Sequence, residues 1–582
     1  MPQQYLAKLY PAITQSGAAQ PVLGICLSGG GSRALSCALG QLSALNAMTM
    51  PDGQAILSPA QYISSVSGGS WASVLYTFLP HVINGETVSD ADFLIQPVPP
   101  QSLTKGAPGN NTPGNVSYMG KYCLGTTPQQ FSPANIGVFL KALLDSGFFE
   151  SPSQWGWFWI AGVGEIVLKP FGLYSAIYHA AGPFVQPSMM FSLSAAEVAQ
   201  NITAYDPFVG PSQFYLARAG RPSLIVNTNL LEDYQIASPL QIPVQATPIM
   251  TGVLGQSPDK TIKGGGSVES FGFTSTLNGP GSLAGTASVA TTRNYSLCDI
   301  AGCSSAFFAS LLLQYIDEGI DDIVNELVNY LVNDLGWNKL VADAVGVALK
   351  LGFDYFARNA SDVIPKYNYW PAGQVSSPSN HTLGFSDGGN FDNTGVLGLL
   401  AQTSSNRIIA FINSETPLSG TATGLTLDSS IGLLFGHGGT GPGDLNYVKV
   451  FDDSHGAFAA LQAGLYAAST GGGSTLGKAT AAYLQKGLVT IANPVANIAA
   501  GREVDVLWVY NNPVANWESA ITDPGIQADL AKRSDPASPL WNFPNYSTVD
   551  QIYLCVEAVN MVAQLSAWNV QQLSGAIAAL LA

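Results

Sequence analysis

An α/β fold is predicted for this chain by a strand–turn–helix unit that occurs twice within its first 80 residues, and by three later apolar runs of strand length. Residues 22–27 (Val-Leu-Gly-Ile-Cys-Leu) form a short apolar run that enters Ser28-Gly29-Gly30-Gly31, the pattern of a buried strand ending in a glycine turn. Residues 34–48 then read as a helix. Residues 62–66 read as a second strand, which meets Ser67-Gly68-Gly69, and helical character resumes over 71–78. The later runs are 224–227, 407–412 and 504–510. Ile316, Ile320, Ile323, Leu327 and Leu331 recur at helical spacing with polar residues between them. They predict an amphipathic helix, with more helix to about residue 358. A C-terminal helix is predicted over 549–565.

The remaining segments read as decoration on one catalytic unit covering 1–582. Residues 80–205 are predicted to be an inserted cap or lid and 311–375 a helical insertion. Within the first, an aromatic region (Phe148, Phe149, Trp155, Trp157, Phe158, Trp159, Phe171, Tyr174) suits either a lid that meets an interface or the core of the insertion. Residues 255–295, rich in Gly, Ser and Thr, read as a long loop or hairpin. No internal repeat is visible.

Composition narrows the function. The chain is 47% apolar and only 10% charged, against about 25% charged for an average soluble domain. This points towards an extracellular or periplasmic protein without assigning a compartment. The net charge of −16 and the lack of a basic stripe exclude a nucleic-acid role and oppose capture by anionic bilayers. Met1–Tyr5 shows no basic segment followed by an apolar one, and no run reaches the ~18 apolar residues of a membrane span. The six cysteines are too sparse for a disulfide framework; Cys298 and Cys303 suit either a pair across a short loop or two buried thiols. No cysteine–histidine cluster has zinc spacing, so no metal or cofactor is expected.

Three motifs carry chemistry. In Gly29-Gly30-Gly31-Ser32-Arg33, bare backbone amides between a strand and a helix N-terminus can converge on a developing negative oxygen. Ser65-Val66-Ser67-Gly68-Gly69-Ser70-Trp71 resembles a G-x-S-x-G nucleophile elbow, with Ser65 in place of the first glycine. Asp387 stands in the turn Ser386-Asp387-Gly388-Gly389, followed by Asp392-Asn393. This cluster lacks the spacing of a calcium loop.

Taken in order, these motifs resemble the patatin-like superfamily, and Ser67 to Trp71 is similar to the SGGSW of fungal phospholipase B and the cytosolic phospholipases A2. Residues 302–307 (Gly-Cys-Ser-Ser-Ala-Phe), Glu269-Ser270-Phe271-Gly272 and the DGG-xx-DN run at Asp387 are similar to further segments of this group. The resemblance spans residues 24 to about 415. It implies a central mixed sheet flanked by helices, with a nucleophile elbow and large inserted lid or cap segments. It implies a lipid acyl hydrolase of phospholipase or lysophospholipase type, without a catalytic histidine. Ser67 would attack the ester carbonyl, Asp387 would act as general base, Gly30 and Gly31 would form the oxyanion hole, and Arg33 would support an anionic head group or the oxyanion. A lipid ester is the implied partner, met at a transient membrane or micelle interface. Because the first motif begins near residue 24, no N-terminal calcium-dependent membrane module is expected.

Two rival readings stand beside this one. His437 and His455 follow Asp387 in the order Ser, acid, His, and either could complete a triad; His81, His179 and His381 are the remaining histidines. A lipid-binding protein with an inactive site is the other. A P-loop is a poor match, because Ala479 follows Lys478 where Ser or Thr belongs.

Overall fold

A computed structural model describes all residues except 1–2, 12–21, 50–52, 54, 179–184, 204–208, 232–240, 257–263, 279–284, 292, 360–362, 375–379, 403–404 and 439–446. Its frame is a 14-stranded mixed sheet. The strands are β1 (Gln3–Pro11), β2 (Leu23–Leu27), β3 (Ala60–Val66), β4 (Ser223–Leu231), β5 (Gln241–Ala246), β6 (Met250–Val253) and β7 (Gly266–Glu269). They continue with β8 (Thr276–Leu277), β9 (Thr286–Thr291), β10 (Lys366–Tyr369), β11 (His381–Asp387), β12 (Arg407–Ile412), β13 (Ala481–Val489) and β14 (Glu503–Tyr510). At the centre β4, β3, β2, β12 and β14 run parallel. Helices cover both faces there, so these strands need no polar side: all five residues of β2 are buried. Beyond β4 the sheet continues antiparallel through β5, β6, β7, β1 and β9 to β8, and β13 closes the other edge.

Helix α1 (Gly31–Ala47) is buried along nearly its whole length. It crosses the helix Val556–Gln571 so closely that a Cβ at Gly40 would lie 1.9 Å from the Ala563 carbonyl oxygen. Helix α2 (Gly68–Phe78) is buried at every position, as its all-round apolar sequence requires.

Three sequence expectations change and one open choice is settled. The N-terminal residues, to which no strand was assigned, form β1 in the middle of the antiparallel extension. Within 255–295 lie β7, β8 and β9, because alternating small residues there find pairing partners. The C-terminal helix is Val556–Gln571 rather than 549–565. The preceding residues spend their backbone groups elsewhere: the Thr548 amide donates to Glu415 and the Ile552 carbonyl accepts from the Ser32 hydroxyl. Finally, Cys298 and Cys303 are free, buried thiols on one helix, Leu297–Ser304.

The aromatic region of 148–174 is core. Phe148, Phe158 and Trp159 are fully buried. Phe158 packs tilted and Trp155 edge-on against Phe356 of the helix Lys339–Asn359, with ring centroids 5.0 and 5.3 Å apart. That helix pairs with Phe308–Asn333, the amphipathic helix expected from 316–331. Among the described residues no helix is long and apolar enough to cross a membrane.

Candidate active site

Strand β4 assembles the site. Its first half pairs parallel with β3, so that Val66 stands opposite Asn227. Its second half pairs antiparallel with β11, so that Asp387 stands opposite Thr228. The end of β3 therefore meets the end of β11 at adjacent positions of one strand, and the residue after Val66 emerges beside Asp387. Two β4 side chains fix this register: Thr228 donates to the Ser386 carbonyl (2.9 Å) and Asn229 to the Asp387 carbonyl (2.7 Å).

The turn at the end of β3 is strained. Ser67 has φ 50° and ψ −122°, a region that a residue with a Cβ seldom occupies. Glycines beside it are needed for clearance. A Cβ on Gly68 would lie 2.1 Å from the Gly31 carbonyl oxygen, and one on Gly69 would lie 2.5 Å from that of Leu27. Ser65 causes no conflict, because its hydroxyl is absorbed into α2, accepting from Ser73 (2.7 Å) and Ser70 (3.2 Å). Gly68→Ala is expected to destabilise the fold by roughly 3 kcal/mol or more, since backbone must move to admit the methyl group; urea unfolding midpoints measure it.

A second prop was not legible in the sequence. Ser304 accepts a hydrogen bond from the Ser67 amide (3.0 Å) and donates to the Asn227 carbonyl (2.6 Å). Its neighbour Ser305 accepts from the Trp71 indole (2.9 Å). The segment 302–307 thus ties the turn to β4. The serine-rich run gives a hint of polar work, but its target is set only by tertiary packing.

Ser67 Oγ donates to Asp387 Oδ2 at 2.9 Å, and both residues are buried. Asp387 Oδ1 accepts from the Gly389 amide at 2.8 Å. Burial raises the Asp387 pKa to about 7; hydrogen bonds from the Gly389 amide, the Ser67 hydroxyl and the Phe307 amide pull the other way but do not offset it. Among the described residues no cation pairs with this carboxyl. Asp392, further along the same turn, is structural. Its two oxygens accept from Thr394 and from the Leu397 amide, which start the helix Val396–Gln402.

The glycine turn lies alongside. Gly30 (φ 131°) and Gly31 (φ 54°) adopt conformations suited to glycine. The Gly29 amide is tied to the Asn393 carbonyl (3.1 Å), while α1 begins at Gly31 with its first-turn amides at the turn. Gly31 backbone packs directly on Gly68, so the glycine turn and the serine turn touch. Arg33 lies beneath Gly30 and is only 4% exposed. Its guanidinium donates to the Asn413 carbonyl (2.8 Å), to the Tyr546 carbonyl and to Glu415 Oε2 (3.2 Å). Burial opposes the ionisation of Glu415, but the Thr548 amide and Arg33 more than offset it and hold its carboxyl below the usual range.

These residues open onto a cleft of about 340 Å³, lined by Gly30, Arg33, Ser67, Asp387, Phe307 and Glu415 among others. Among the described residues no histidine lines it. His437 instead bonds Asp453 (2.5 Å) and stacks on Phe458. His81, His381 and His455 are exposed, and His179 lies outside the described residues. Among the described residues no group of three His, Cys, Asp or Glu side chains is arranged to hold a metal ion. A larger cavity of about 430 Å³, between residues 86–123 and the C-terminal helix, contains none of these groups.

No family model matches the chain, and no curated protein sequence does. Among solved structures it is similar to human GIVD cytosolic phospholipase A2, at 14% identity and a TM-score of 0.44, over 96% of this chain and 60% of that one. Two further structures of that human enzyme, both in complex with methyl gamma-linolenyl fluorophosphonate and one also with terbium chloride, give 14% and 15% identity. Their TM-scores are 0.42 and 0.41, over 96% of this chain and 59% of each. The chain thus spans about three-fifths of the length of these structures.

Proposed function

We propose that the chain is a lipid acyl hydrolase of the patatin-like and cytosolic-phospholipase type, cutting carboxylic esters with Ser67 and Asp387. The observation that carries this reading is the 2.9 Å hydrogen bond from Ser67, held on a strained elbow, to a buried carboxyl with a pKa of about 7. An ordinary carboxylate, near 3.9, is too weak a base to draw a proton from serine at useful rates. A carboxyl near 7 is both a stronger base and substantially ionised at neutral pH.

The steps follow from this geometry. Ser67 Oγ bonds to the ester carbonyl carbon while its proton passes to Asp387 Oδ2. The carbonyl oxygen becomes an anion, which the Gly30 and Gly31 amides would receive, with the buried positive charge of Arg33 behind them. Collapse of the tetrahedral intermediate expels the alcohol, which takes the proton from Asp387 and leaves Ser67 acylated. Water then gives a proton to Asp387 and attacks the acyl carbon. Breaking the Ser67–acyl bond releases the fatty acid, and Asp387 returns the proton to Ser67 Oγ. Transfer of the acyl group to an alcohol instead of water would use the same machinery.

Exposed apolar groups support a lipid substrate. Phe307 (47% exposed) and Val549 (48%) stand at the cleft. Leu340, Val347, Leu351 and Tyr355 form an exposed stripe on the helix Lys339–Asn359, which would suit a lipid–water interface.

Labelling by a fluorophosphonate ester tests the reading. A covalent adduct mapped to Ser67 by mass spectrometry is the expected result; an intact, folded chain that takes up no label would refute it. Lipid mass spectrometry on phospholipids, lysolipids and neutral esters then identifies the bond cut. The triad alternative predicts that one histidine is indispensable. Here His437→Ala and His455→Ala are each expected to keep turnover of a p-nitrophenyl ester within about twofold of the parent, since neither imidazole lines the cleft.

A further inference from the structure

The site's charges bear on which alcohol portion the ester carries, a question that rests on the hydrolase reading above. Among the described residues Arg33 is the only basic side chain lining the cleft. Three of its five N–H donors, on Nε and Nη1, are taken by two backbone carbonyls and the Glu415 carboxylate, and only 4% of it is exposed. Glu415 is itself fixed, because its Oε2 also accepts from the Thr548 amide at 2.7 Å. A phosphate or carboxylate on the substrate would have to displace a carboxylate already held by two hydrogen bonds to reach Arg33 Nη1.

The other charged groups repel an anion. Asp387, Glu415 and Asp428 line the same cleft. Asp428 Oδ1 caps the helix Ser429–Phe435 through the Ser430 amide (3.0 Å) and hydroxyl (2.6 Å). Once Asp387 is ionised to act as base, three carboxylates face one neutralised arginine. The whole-chain charge of −16 has the same sign.

We propose that the cleft accepts esters whose alcohol portion is uncharged or cationic and rejects anionic ones, and that Glu415 sets this selectivity by occupying Arg33. A quaternary ammonium or a plain alkyl alcohol satisfies the cleft; an alcohol ending in a free phosphate monoester does not.

Three hexanoyl esters of similar size separate the possibilities: those of choline, of 3,3-dimethylbutanol (its uncharged counterpart) and of 2-phosphoethanol. The readout is the ratio of kcat/KM values at pH 8 and low salt, in which a general loss of activity cancels. The wild type is expected to turn over the choline ester at least as well as the uncharged one, and the phosphate ester about tenfold or more below it. Added salt should narrow that gap. Glu415→Gln is expected to raise the phosphate-to-uncharged ratio by about tenfold, and Asp428→Asn to move it in the same direction. A phosphate ester cleaved as fast as the uncharged one by the wild type would overturn the proposal without any variant. So would a Glu415→Gln ratio equal to that of the wild type. If folded wild type cleaves none of the three, the hydrolase reading fails as well; if it cleaves all three alike, only the selectivity proposal fails.

Discussion

Ser67→Ala is expected to lower ester turnover by about three orders of magnitude or more, with the fold intact. The side chain is small and, among the described residues, its hydroxyl bonds only Asp387, so circular dichroism should be unchanged. Ser67→Gly should lose activity equally but gain stability. At φ 50° and ψ −122° serine is strained and glycine is not, and relief of about 1 kcal/mol is expected as a higher urea midpoint at unchanged m-value. Alanine keeps the Cβ and so keeps the strain. A glycine variant no more stable than the alanine variant would show that the elbow stores no energy.

Asp387→Asn should abolish turnover to a similar degree and change how stability depends on pH. The folded-state pKa is about 7, because burial disfavours the charge, whereas an unfolded aspartate titrates near 3.9. Between those values the folded chain holds the proton and the unfolded chain does not. Stability therefore falls as pH rises from about 4 to about 7, and the full penalty is present above 7. It amounts to at most about 4 kcal/mol, from roughly 1.4 kcal/mol per unit. Asparagine cannot ionise and escapes it. The variant should gain on the parent at pH 8.5, gain less at pH 5.5 and gain nothing at pH 3.5, as denaturant midpoints would report. The same ionisation sets the activity of the parent: kcat/KM should climb with pH and level off above about 7. Parallel stability curves for parent and variant would mean that the carboxyl is not desolvated.

What could be read from the sequence is what local chemistry dictates. Glycines at 30, 31, 68 and 69 mark backbone that must approach other backbone, and the apolar runs at 22–27, 407–412 and 504–510 mark buried parallel strands. Ser67 and Asp387 stand out because each sits in such a turn. What could not be read depends on partners distant in the chain. The amide prop from Ser304 and the occupation of Arg33 by Glu415 arise across 237 and 382 residues and leave no periodicity. The aromatic cluster at 148–174 suited a lid or a core because composition alone does not say what Phe356 will pack against. The polar stretch before residue 295 hid three strands, since small alternating residues pair well without looking apolar.

The shared use of β4 has a consequence for how the protein becomes functional. Ser67 and Asp387 are 320 residues apart, and neither has a local route to the other. Closing so long a loop is costly in entropy and gains little until its flanks are ordered. The chain can collapse and form most of its helices while the two halves of this one strand still lack a neighbour. Competence for chemistry thus requires both long-range pairings of β4, and until both form the Ser67 hydroxyl lacks its base.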